Sequence, residues 1–68
     1  MVPNRIKELR EAKGWTQWEL AHRAQLWPAR ISQYENGKRV PPLYAAQAIA
    51  MALDATLDEL FPREEVPA

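Results

Sequence analysis

Thr16-Gln17-Trp18-Glu19-Leu20-Ala21-His22-Arg23-Ala24-Gln25-Leu26-Trp27-Pro28-Ala29-Arg30-Ile31-Ser32-Gln33-Tyr34-Glu35-Asn36-Gly37 reads as two short helices joined by a tight connection. Thr16 and Glu19 form a capping box: the hydroxyl accepts from the Glu19 N–H, and the carboxylate reaches back to the Thr16 N–H. Leu20, Ala21 and Ala24 then make an apolar stripe at helical spacing. Gln25-Leu26-Trp27 connects to a helix opened by Pro28, whose missing N–H costs nothing in a first turn. Ile31 and Tyr34 face inward, and Asn36-Gly37 ends the helix because both residues tolerate the left-handed conformation.

Outward from this pair, the same signals repeat. Asn4–Lys13 carries Ile6, Leu9 and Ala12 at helical spacing, with Asn4 as N-cap and Gly14 as C-cap glycine. Lys38–Pro42 is a basic loop closed by prolines. Leu43, Ala46, Ile49, Ala50 and Leu53 form the stripe of a fourth helix. Thr56–Glu59 is a second capping box, opening a short fifth helix with Leu57, Leu60 and Phe61, which Pro62 ends. The expected organisation is one domain over residues 1–68, with helix-turn-helix at about 16–36 and a frayed tail at 62–68.

Composition narrows the function classes. There is no cysteine, so disulfides, thiolate metal sites and a cysteine nucleophile are excluded. The single histidine, His22, has no His, Asp or Glu at i±4 and predicts no metal site. No triad, phosphate loop or carboxylate pair suggests catalysis, and no cofactor is implied. No signal peptide opens the chain and no apolar run approaches the ~20 residues of a membrane span. A soluble, cytoplasmic protein is expected.

The net charge is zero, but it is unevenly spread. Residues 1–40 hold eight Lys and Arg against four Glu, a balance of +4; residues 41–68 hold Arg63 against five Asp and Glu, a balance of −4. A basic front and an acidic back would orient the molecule near an anionic polymer.

The blocks Asn4–Arg10, Gly14–Gln17, Ile31–Arg39 and Leu57–Phe61, in this order and spacing, resemble the phage-repressor-like (Xre/Cro type) helix-turn-helix family over residues 4–61. The resemblance implies an all-α five-helix bundle, a lambda-repressor-like DNA-binding domain. It also implies a repressor-type transcription regulator of bacterial, archaeal or phage origin. Such a protein binds double-stranded operator DNA, usually as a homodimer, with the third helix in the major groove. It implies a structural salt bridge between Arg10 and Glu35. Three positions depart from the family pattern: Gln25 and Asp54 stand where glycine is usual, and Trp27 where Ser or Thr caps the third helix.

Ile31 and Tyr34 point inward, so the outward set at the start of the third helix is Pro28, Ala29, Arg30, Ser32 and Gln33. Gln33 is the expected base reader, its amide matching N6 and N7 of adenine. Arg30 suits either guanine O6 and N7 or a phosphate. Ser32 suits base or phosphate, and Ala29 offers apolar contact to a thymine methyl. Gln17, in the first turn of the second helix, is an expected phosphate donor, with Asn36, Lys38 and Arg39 as further clamps. Trp15 is expected in the core and Trp18 half exposed. Trp27 either braces Pro28 or the second helix, or donates its indole N–H to a phosphate. Leu57, Leu60, Phe61 and Tyr44 are the candidate dimer contacts. A second reading keeps the bundle but makes it a protein-interaction module, such as an antitoxin component binding a partner protein. The zero net charge, the donor-poor Trp27-Pro28-Ala29 edge and the surplus tryptophans favour it.

Overall fold

The computed structural model describes residues 4–62, and the expected tail beyond Pro62 lies outside them. The described residues form helices α1 (Ile6–Ala12), α2 (Gln17–Ala24), α3 (Pro28–Glu35), α4 (Leu43–Leu53) and α5 (Leu57–Leu60), without a strand. Both capping boxes are made. The Glu19 N–H donates to Thr16 Oγ1 at 3.1 Å and the Thr16 N–H to Glu19 Oε1 at 3.3 Å. The corresponding distances at Thr56 and Glu59 are 3.1 and 3.0 Å. At α1, Arg5 occupies the cap position, and the Asn4 carboxamide oxygen accepts from the Ile6 N–H at 3.2 Å.

Ile6, Leu20, Ile31, Ile49 and Leu60 are the fully buried large side chains, one from each helix. They meet at the centre of the bundle with Tyr34, Leu53 and the alanines 21, 24, 45 and 50. The small residues on facing sides of α2 and α4 let those helices pack closely, and α2 also packs on α3. The Arg5 N–H donates to the Leu60 carbonyl at 2.8 Å, closing the start of the fold on its last helix.

Gln25 and Asp54 do adopt the left-handed conformation, with φ of 58° and 54°. Each stands where a helix ends and the chain turns, and a Cβ there costs roughly 1–2 kcal/mol. Asn36, by contrast, stays right-handed at φ −85°, and Gly37 alone takes the positive φ of 74°.

Four expectations about the core are corrected. Ala12 is exposed, because it lies at the open end of α1. Leu43 is 66% exposed and Ala45 takes its place in the core. At 100° per residue Leu43 lies about a quarter turn from the centre of the Ala45–Ala46–Ile49–Ala50–Leu53 stripe. Trp15 is only half-buried: it packs on the edge of the core, with the Arg23 guanidinium 4.3 Å from its ring centroid. Leu60 is wholly buried, so its side chain cannot serve as a dimer contact.

Candidate nucleic-acid interface

Three side chains tie α3 to the scaffold. The Arg10 Nε donates to Glu35 Oε2 at 2.7 Å and Nη2 to Glu35 Oε1 at 3.2 Å, a two-pronged ion pair joining α1 to the end of α3. The Arg10 Nη1 also donates to the Trp15 carbonyl at 2.7 Å. The carboxylate of Glu35 holds the Arg10 guanidinium above its ordinary pKa, against the opposing effect of burial. Gln17 Nε2 donates to the same Glu35 Oε1 at 3.1 Å. The first residue of α2 is thereby tied to the last of α3, fixing the angle between the two helices. Asn4 adds a third strut, its Nδ2 donating to the Tyr34 carbonyl at 2.9 Å.

On the outward side of α3, Ala29 is exposed, and Pro28, Arg30, Ser32 and Gln33 are half-buried. Their polar groups pair along the helix. Arg30 Nη1 donates to Gln33 Oε1 at 3.1 Å, and Asn36 Nδ2 lies 3.4 Å from Ser32 Oγ. The loop after α3 folds back on it: the Lys38 and Arg39 N–H groups both donate to the Gln33 carbonyl, at 2.9 and 3.3 Å. The backbone of Lys38 and Arg39 is thereby held against the end of α3, and both residues are exposed. Gln17, Arg30, Ser32, Gln33, Asn36, Lys38 and Arg39 thus all lie on or directly against α3.

Trp27 caps α3 by position alone, with no side-chain hydrogen bond to the helix. Trp27 is 78% exposed, so of its two expected roles the apolar brace is not made. It borders a shallow groove with Trp18, Ala21, His22, Leu26 and Pro28. Trp18 is 73% exposed, more than the expected half. Among the bonds not read from the sequence are Gln17 to Glu35 and Arg30 to Gln33. The i, i+3 spacing was the available signal for the second; the first joins residues 18 apart and leaves no local trace.

Tyr44 and Leu57 are exposed and Phe61 is half-buried. Leu57 and Phe61 line an apolar depression with Val40, Pro41, Leu43 and Ala46, on the side of the bundle formed by α4 and α5. Among the described residues no three His, Asp or Glu side chains gather as a metal site, and no helix is long and apolar enough to cross a membrane.

The family model described as helix-turn-helix matches residues 6–60. The chain is 32% identical over 62 residues to the HTH-type transcriptional activator BcrR of Enterococcus faecalis, covering 91% of this chain and 30% of that protein. It is 36% identical over 62 residues to the HTH-type transcriptional regulator AnsR of Bacillus subtilis (strain 168), covering 91% of this chain and 53% of that one. The chain therefore spans about half or less of the length of these two relatives. Among solved structures, the restriction-modification controller protein C.AhdI from Aeromonas hydrophila matches with a TM-score of 0.80 and 38% identity. The match covers 84% of this chain and 86% of that one.

Proposed function

The chain belongs to the helix-turn-helix family, of the phage-repressor-like type, and from that membership we propose that it is a DNA-binding transcription regulator. The observation that carries the reading is the set of polar side chains on the outward face of α3, Arg30, Ser32 and Gln33, flanked by the Lys38–Arg39 loop that is bonded to the helix itself. In this reading α3 enters the major groove, where Arg30, Ser32, Gln33 and Ala29 face base edges. Asn36, Lys38, Arg39, the Trp27 indole and the free side of the Gln17 amide meet phosphates. Arg10 and Glu35 act only by holding the helices. In this reading regulation is of repressor type, through an occupied operator.

A second copy of the chain completes the operator contact. Two α3 helices about 34 Å apart would read a near-palindrome. Tyr44, Leu57 and Phe61, around the apolar depression of α4 and α5, are the proposed dimer contacts.

Exposed Trp18 and Trp27 support a second reading, in which the bundle binds a partner protein. Titration with mixed-sequence duplex DNA separates the two. Tight binding at low salt that falls steeply as salt rises is the expected result for DNA docking. Absence of binding at about 50 mM salt would leave the protein-partner reading in its place.

A further inference from the structure

Arg30 and Gln33 lie one turn apart on α3, joined by the 3.1 Å bond from Arg30 Nη1 to Gln33 Oε1. A guanidinium has donors and no acceptor, so only the oxygen end of the Gln33 amide can face it. The assignment of the amide orientation follows from that chemistry. Gln33 then presents its Nε2 donors outward, and Arg30 presents its remaining N–H groups beside them.

A glutamine reading adenine needs a free oxygen for N6–H and a free amino group for N7. Here one lone pair of that oxygen already accepts from a cation, whose positive charge and N–H groups disfavour the approach of the adenine N6 amino group, itself a donor. Guanine offers acceptors at O6 and N7 in the same groove. A face made of donors alone matches guanine and opposes adenine.

Resting on the DNA-docking reading above, we propose that Arg30 and Gln33 read a guanine as one unit. Arg30 forks onto O6 and N7, and Gln33 is the positioning residue that holds the guanidinium. Fixing a long, half-buried side chain before DNA arrives also lowers the rotamer entropy lost on binding. The adenine contact expected of Gln33 alone is replaced by this joint contact.

The test is enrichment of bound sequences from a random duplex pool by the wild-type chain, Arg30→Lys and Gln33→Met, with circular dichroism checking the fold of each. The wild type is expected to favour guanine at one half-site position by about ten- to a hundred-fold. Arg30→Lys keeps the charge and loses the fork, so that preference collapses while low-salt binding to mixed DNA persists. Gln33→Met weakens the preference at the same position. An adenine at the position that Gln33→Met relaxes, or the two variants acting at different positions, overturns the joint reading. So does binding without any enrichment. A chain that binds no duplex at low salt overturns the docking reading itself, and the joint contact with it.

Discussion

Glu35 is the residue whose removal tests the architecture most severely. Its carboxylate is 2% exposed, and it accepts from Arg10 at 2.7 and 3.2 Å and from Gln17 at 3.1 Å. Glu35→Ala leaves the Arg10 guanidinium, 10% exposed, with the Trp15 carbonyl as its remaining partner. Breaking one side of a buried pair costs about 3–5 kcal/mol. Arg10 has a long stem and can swing its head toward water, which puts the expected loss near the lower end, ~3 kcal/mol. A chain of 68 residues at roughly 0.05–0.15 kcal/mol per residue has ~3–10 kcal/mol in total. The variant should therefore lose from about a third to all of its stability. Arg10→Met strands the carboxylate instead and should cost as much. Arg10→Met with Glu35→Leu removes both charges and should cost no more than either single change, because no buried charge is left alone. Urea unfolding followed by far-ultraviolet circular dichroism gives all four stabilities. A Glu35→Ala loss under about 1 kcal/mol, or a double variant as unstable as the two single losses added, would refute the reasoning.

Other outcomes follow from single positions. Gln25→Gly and Asp54→Gly relieve the strain of a side chain at φ 58° and 54° and should each add about 0.5–1 kcal/mol of stability after the extra entropy of glycine in the unfolded chain, read as a higher urea midpoint. Lys38→Ala should weaken binding to all DNA sequences alike and reduce the slope of log affinity against log salt by about one unit. Trp27→Phe should lower DNA affinity if the exposed indole N–H meets a phosphate; an unchanged dissociation constant would assign that side chain no such contact.

The helices were legible because their ends are written in local chemistry. Thr16–Glu19, Thr56–Glu59 and Pro28 each satisfy or remove orphan N–H groups within one turn, and such signals need no knowledge of the tertiary structure. Gln25 and Asp54 were legible as left-handed positions once the family pattern put glycine there. The face of α4 was harder to read. Its sequence LYAAQAIAMAL is apolar nearly all round, so several stripes fit, and only packing chooses Ala45 over Leu43. Leu57, Leu60 and Phe61 look alike in sequence, yet Leu60 fills the core while Leu57 stays exposed. At the interface, the residue types on α3 were legible and their pairings were not. Whether Arg30 turns along the helix to Gln33 or out to solvent depends on a rotamer, and spacing alone does not set it.

In the proposed complex the outward face of α3 and the loop after it dock on DNA. Mapping backbone amide resonances as mixed-sequence duplex is added at low salt tests it residue by residue. Docking through α3 should give shifts concentrated at Gln17, Ala29–Gln33 and Asn36–Arg39, reversed by added salt. Shifts confined to Tyr44, Leu57 and Phe61, or an unchanged spectrum at low salt, would rule it out.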